Sequence, residues 1–235
     1  MSIRSGSASV FALALAAMAS VALLVRPHAR KGGEPNGRSP GAVSTNGMVL
    51  RGRYLVITHD CNGCHGGADP AAPGWLAGIT KPEQEFLIGP CAFKPGATPC
   101  FHTRPRNLTP DNMTGMGRFS ERQIFNALRY GLRPEDTPDV EITSSTPGAG
   151  DFPAQPHYLA PPMPWPAWRH MPDEDLMAIA AYLKHGMKPV RNKVADSEGP
   201  PDFWASEYTV EKIGQYPVPA FPTLNELAPL EAKRR

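Results

Sequence analysis

Cys61, Cys64 and His65 stand together in the run Cys61-Asn62-Gly63-Cys64-His65. Two thiols separated by two residues, with an imidazole directly after, have few chemical uses. On one helical turn, thiols three positions apart can each add to a vinyl group of a porphyrin. The adjacent histidine can then ligate the iron, and C-x-x-C-H is the attachment signature of c-type haem. Other uses of paired thiols fit less well. A thioredoxin-like pair needs a βαβ context, which the flanking sequence lacks. A zinc site needs a second pair at metal spacing, which Cys91 and Cys100 do not supply. A plain disulfide between Cys61 and Cys64 leaves His65 without a role. The reading is one covalently bound haem c, with His65 as an axial ligand.

A second axial ligand is then expected. The chain has nine methionines. Met1, Met18 and Met48 are poorly placed, Met113 and Met116 lie in a glycine-rich stretch, and Met171, Met177 and Met187 belong to a helix or its ends. Met163 stands in Leu159-Ala-Pro-Pro-Met-Pro-Trp-Pro166, read as a stiff extended segment that presents one side chain at small entropic cost. A thioether is a soft ligand that raises the haem potential. On stiffness alone, Met163 as a filler of the core stays open. His157 and His170 are the replacements to test if Met163 is not the ligand, and His59 sits too close to the haem turn to reach the far side. Arg104 and Arg106 are candidate partners for haem propionates, which need charge-assisted donors. Arg122 and Arg129, seven apart on one helical face, read as a solvated face with docking of an acidic partner as the alternative. Cys91 and Cys100 are expected to form a disulfide, closing a loop that holds Pro95, Gly96 and Pro99.

Three helices are expected to position these groups. The first runs over residues 47–64, with Val49, Leu50, Tyr54, Leu55 and Ile57 as its apolar members. The second starts at Ser120, where Gln123 completes a capping box, and ends near Gly131. The third has Pro172 in its first turn, Asp173, Glu174 and Asp175 at the positive end of the dipole, and Lys184 and His185 in the last turn before Gly186. Its Leu176, Ile179, Ala180 and Leu183 recur at helical spacing. The fold class is therefore all-α: about three main helices and long loops rich in proline around one haem. The 28 prolines among 235 residues support the loops, since proline fixes φ and removes a donor.

Residues 1–25 read as a signal peptide, with an uncleaved membrane anchor as the alternative. Arg4 supplies positive charge and residues 8–25 carry none, about the shortest apolar run that can span a bilayer. Residues 26–46 read as a flexible linker, 47–190 as the folded domain, and 191–235 as a proline-rich arm. That arm carries Phe203, Trp204, Tyr208, Tyr216 and Phe221, so it is expected to lie on the domain or on a partner. The net charge of +2, with no basic run interleaved with aromatics, excludes a nucleic-acid interface.

Residues 47–190 resemble the cytochrome c family, in particular the cytochrome c subunits of bacterial membrane-bound alcohol and aldehyde dehydrogenases. The resemblance rests on Arg51-Gly-Arg-Tyr-Leu leading into Cys-Asn-Gly-Cys-His, on Asn107-Leu-Thr-Pro-Asp111, and on Thr114-Gly-Met-Gly-Arg-Phe119. It continues through Ile124-Phe-Asn-Ala-Leu-Arg-Tyr-Gly131, the Met163 segment and Asp173-Glu-Asp-Leu-Met-Ala-Ile-Ala-Ala-Tyr-Leu183. It implies axial ligation by Met163, and a close crossing of the first and last helices at Gly52 near Tyr182. The chain departs from those subunits, which usually carry several haems, in having one C-x-x-C-H. It also has two inserted stretches, 91–104 and 134–156. The function expected is single-electron transfer outside the cytoplasm, in the periplasm or at the outer membrane face. The donor would be a dehydrogenase or other protein, and the acceptor a cytochrome or oxidase. An enzymatic alternative, a haem peroxidase or gas-binding protein, requires an open or labile sixth position. A structural or sensory subunit is the third reading.

Overall fold

The computed structural model describes residues 45–79, 81 and 84–227. The expected targeting segment 1–25 and linker residues 26–44 lie outside these. Thr45 and Asn46, assigned to the linker, already belong to the first helix. Among the described residues no helix is long and apolar enough to cross a membrane.

Helix α1, Thr45–Thr58, buries Gly52, Leu55 and Val56, a stripe at i, i+3, i+4 as helical geometry requires. Of its other expected apolar members, Val49 packs against the core, whereas Leu50 and Tyr54 are exposed. The single helix expected over 47–64 is broken. Asp60 takes the left-handed conformation (φ 52°) and the chain restarts as a one-turn helix, α2, Cys61–His65. Thr58 bonds back to the Tyr54 carbonyl at 2.9 Å and His59 Nδ1 meets the Leu55 carbonyl at 2.9 Å, so side chains satisfy the end of α1. The break gives the Cys61–His65 turn a direction of its own, apart from α1.

Helix α3, Glu121–Tyr130, has the expected capping box of Ser120 with Gln123, and ends at left-handed Gly131 (φ 69°). Trp165 opens the single turn α4, Trp165–Trp168. A Cβ on Gly131 would stand 2.2 Å from the Trp165 ring, so this glycine serves both backbone and packing. Helix α5, Asp173–His185, buries Leu176, Ile179, Ala180 and Leu183, the positions expected from periodicity. It crosses α1 where a Cβ on Gly52 would lie 1.9 Å from the Ala178 carbonyl oxygen and 2.8 Å from Tyr182 Cβ. Arg51 and Asp175 bracket the crossing with two bonds of 2.8 and 2.9 Å. The core between α1, α3 and α5 holds Leu55, Val56, Leu76, Phe119, Ile124, Phe125, Leu176 and Tyr182. There the Trp75 indole N–H donates to the Tyr182 hydroxyl at 2.9 Å.

The all-α expectation needs one correction. Strands β1, Phe86–Ile88, and β2, Phe101–Thr103, pair antiparallel with Phe86 opposite Thr103, Leu87 opposite His102 and Ile88 opposite Phe101. Cys91 and Cys100 are joined in a disulfide. Their loop reverses the chain and brings the two flanking segments into register. The second stretch expected to be an insertion, 134–156, contributes Ile142 and Phe152 to a separate small core with Leu132, flanked by Tyr130 and Tyr158.

The 191–235 arm lies on the domain as far as Tyr216, which contacts His170, and residues 218–227 are largely exposed. Glu198 exchanges two backbone hydrogen bonds with His102. Trp204 is buried and contacts Phe101 at 4.9 Å between ring centroids. A short helix, α6, Val210–Ile213, follows, and Arg169 donates to the carbonyls of Ile213 and Gly214.

Candidate functional site

A cavity of about 730 Å³ lies against α2, within the usual range of roughly 300–1,000 Å³ for cofactor sites. Cys61, Cys64 and His65 form one part of its wall, and Leu159, Ala160, Pro162 and Met163 another. Helices α3 and α5 contribute Ile124, Leu128, Ile179 and Leu183, residues 103–108 form a further stretch, and the arm adds Val194, Ser197 and Pro201.

His65 is buried, and its Nδ1 meets the Arg106 carbonyl at 2.7 Å. A carbonyl only accepts, so Nδ1 carries the proton and Nε2 keeps its lone pair, the form in which imidazole binds metals. Burial pushes this imidazole below its ordinary pKa, with the Arg106 carbonyl pulling the other way. Cys61 and Cys64 are free thiols, not bonded to one another. Burial pushes Cys61 up to about 12 and also raises Cys64, Asp60 adding to both. Redox-active C-x-x-C pairs depress a thiol pKa to expose thiolate, and this pair does the reverse. Among the described residues no group of three or more His, Cys, Asp or Glu side chains can hold a metal ion.

Met163 is half-buried on the cavity wall. Its segment is a turn rather than the extended run expected. Pro161 and Pro162 fill the centre, Met163 N–H closes on the Ala160 carbonyl at 2.9 Å, and Trp165 N–H bonds the Met163 carbonyl at 2.9 Å. Proline restricts such a turn as effectively as an extended strand, so the stiffness survives with a different shape. Met113 and Met116 also line the cavity, but Met113 is exposed and Met116 belongs to the core. Met171, Met177 and Met187 pack against the core away from it.

His157 and His170, the expected replacements for Met163, are not on the wall. His157 is paired with Asp202 at 2.8 Å, and His170 sits against Tyr216. His59 lines the cavity, its ring edge-on to Trp168.

Arg104 and Arg106 both line the cavity. Arg104 is held by Glu85 at 2.7 Å and by Glu198 at 3.1 Å. Arg106 donates through one nitrogen to the carbonyls of Val194 and Ala195 and to Asp196, and its side chain is 41% exposed. The expectation for Arg129 is overturned. It is buried, donating to the Arg169 carbonyl and to Asp173, because α3 turns that face toward the start of α5. Arg122 is half-buried with its guanidinium over the Phe125 ring.

Two residues carry a role that sequence reasoning did not assign. Asn107 is fully buried. Its Nδ2 donates to the Val190 carbonyl at 2.7 Å and to Thr114 at 3.0 Å, and its Oδ1 accepts from Thr109 N–H and hydroxyl at 2.9 and 2.7 Å. Thr109 Oγ1 in turn accepts from Val190 N–H at 3.1 Å. This satisfied network fixes the residue after Arg106, whose carbonyl orients His65, and pins the start of the arm. The motif that contains both residues was the available signal.

No protein-family model matches the chain. Curated proteins do. The gluconate 2-dehydrogenase cytochrome c subunit of Pantoea cypripedii is 31% identical over 157 residues, 67% of this chain and 27% of that protein. The fructose dehydrogenase cytochrome subunit of Gluconobacter japonicus is 29% identical over 178 residues, 76% of this chain and 29% of its own. The cytochrome c subunit of a quinone-dependent alcohol dehydrogenase from Gluconobacter oxydans (strain 621H) is 27% identical over 155 residues, 65% and 25% of the two chains. The chain resembles the cytochrome c subunits of bacterial dehydrogenases. It spans about a quarter of the length of these curated relatives.

A cytochrome c implies a covalently bound haem, and the chemistry of the cavity can be matched to that group. Two protonated, unbonded thiols, an imidazole with a free Nε2 and a half-buried thioether face one largely apolar cavity. This donor set fits a haem c.

Proposed function

We propose that this chain is a monohaem c-type cytochrome that transfers single electrons between a dehydrogenase and a downstream cytochrome or oxidase. What carries the reading is one cavity whose wall holds both the C-x-x-C-H turn and the Met163 turn. Cys61 and Cys64 would hold the haem as thioethers, and His65 Nε2 and Met163 Sδ would ligate its iron. Arg106, with nitrogens beyond the one that meets the arm, is the better of the two arginines for a propionate. When bound, the haem supplies an iron that gains and loses one electron.

The protein's part is to hold that group still and dry. The Arg106 carbonyl fixes the imidazole tautomer and ring plane. Ile124, Leu128, Ile179 and Leu183 keep water from the apolar side, which favours the less charged redox state. The Met163 turn blocks the position that a small molecule would need. An exported location, periplasm or outer membrane face, suits a chain with a disulfide outside its haem motif and a leader-like segment at 1–25. Redox partners are proposed from the relatives.

The test uses the full chain matured in a host that attaches haem c. Denaturing gels should show haem stain in wild type and a large loss in Cys61→Ala or Cys64→Ala; wild-type staining in either variant rejects the attachment site. The native ferric protein should be low-spin with a weak near-infrared sulfur-to-iron band that Met163→Ala abolishes. A high-spin ferric spectrum, or rapid carbon monoxide binding on reduction, would favour the peroxidase or gas-binding alternative.

A further inference from the structure

We propose that the arm positions the axial thioether: Asp202 and Tyr208 are positioning residues that hold the Met163 turn against the cavity. This rests on the reading of Met163 as a haem ligand.

The Met163 turn has few bonds of its own, and the arm ties it at both ends. Ahead of it, Asp202 Oδ1 accepts from Tyr158 N–H at 3.1 Å and from Arg133 at 2.9 Å, while Oδ2 meets His157 at 2.8 Å. Arg133 also donates to the Tyr158 carbonyl at 3.1 Å, so one carboxylate gathers the strand that enters the turn. Asp202 occupies the left-handed region (φ 59°), a conformation that costs energy away from glycine and persists where surroundings impose it. The Tyr208 hydroxyl then donates to the Leu159 carbonyl at 3.2 Å. After the turn, the buried Trp165 ring is stacked on Tyr158 (6.0 Å, 6°) and met edge-on by Tyr208 (4.9 Å, 72°). Trp204, buried two residues past Asp202, anchors the arm against Phe101. The same arm supplies Val194, Ser197 and Pro201 to the cavity wall.

Displacing a thioether from iron requires its segment to move away. Each bond that exists only while the segment is seated makes displacement harder by its full free energy. The arm's bonds to residues 158–165 are of that kind, and they involve no residue of the haem motif.

The experiment titrates the ferric holoprotein with imidazole and follows the sulfur-to-iron band. Tyr208→Phe keeps the ring and removes one hydrogen bond, and should raise imidazole affinity about fivefold, the effect of one ordinary hydrogen bond. Asp202→Ala removes three partners and should raise it by more than about tenfold, while Asp202→Asn, which retains an oxygen for Tyr158, should recover part of the loss. Haem stain on denaturing gels should stay at the wild-type level throughout. If Asp202→Ala yields no holoprotein, Tyr208→Phe and Asp202→Asn decide. Variants that titrate within about twofold of wild type overturn the proposal, as do variants that lose thermal stability with an unchanged imidazole constant. If the wild type has no such band, or Met163→Ala retains it, the ligand assignment itself has failed instead.

Discussion

Asn107→Ala should be among the most damaging single changes outside the Cys61–His65 turn. The side chain makes four hydrogen bonds in a site with no solvent access. Three of the partner groups keep another bond when it is removed. The Val190 carbonyl retains the Thr109 hydroxyl, that hydroxyl retains Val190, and Thr114 retains Asp111 and Asn192. The Thr109 N–H has only Asn107 among the bonds described and is left unsatisfied in the interior, which costs about 1–3 kcal/mol. Three further bonds at about 0.5 kcal/mol each, the low end because their partners are partly compensated, bring the total to about 2.5–4.5 kcal/mol. For a domain of this size that is a fall in Tm of about 10 °C. Urea unfolding of the holoprotein followed by far-UV circular dichroism measures it, and the slope m should not change. A loss below about 1 kcal/mol would refute the reasoning, since it would mean that water reaches the Thr109 amide.

Gly52→Ala sets two effects against each other. Alanine gains about 1 kcal/mol of helix propensity, but its Cβ would fall 1.9 Å from a carbonyl oxygen on α5, and backbone cannot rotate away. The clash should win, with a net loss of about 2 kcal/mol on the scale of overpacked cores; a neutral or stabilised variant in thermal unfolding would show that α1 and α5 slide apart freely. The Asp175 carboxylate is held below its usual range by the hydrogen bond from Arg51. A depressed folded pKa gives stability that is present above the ordinary carboxylate range and lost as pH falls through the folded value. Asp175→Asn should therefore be less stable than wild type at pH 7, with the gap closing below about pH 4, and a gap that is constant from pH 7 to pH 2 in denaturant melts would exclude the pair as its source.

Helices α3 and α5 could be read from the chain because their signals are local: Ser120 with Gln123, the left-handed Gly131, and three acids before Leu176. The break between α1 and α2 could not. It depends on Asp60 adopting a left-handed conformation, and no neighbouring residue announces it. Arg129 looked solvated because its spacing from Arg122 matches one helical face, yet its partners lie 40 and 44 residues away. The strands escaped notice because three residues are too few to show alternation. In the site, Cys61, Cys64 and His65 declared themselves by spacing. Met163 was singled out by its prolines, but the turn they make is set by Ala160 and Trp165 rather than by extension. Asn107 sat in a recognised motif, and its role waited on Val190, 83 residues on.

The arm also separates two kinds of boundary that coincide in simpler chains. The cytochrome-like stretch expected from the sequence motifs runs over residues 47–190, and a fragment cut there would retain Cys61, Cys64, His65 and Met163. It would lose Val194, Ser197 and Pro201 from the cavity wall, along with the Asp202 carboxylate that gathers Arg133, His157 and Tyr158. Phe101 would lose Trp204, and the outer edge of β2 would lose Glu198, leaving unpaired backbone of the kind that recruits other chains. The unit set by the quoted motifs is thus smaller than the unit that encloses its own interior. A shortened version would be prone to self-association before any question of electron transfer arose.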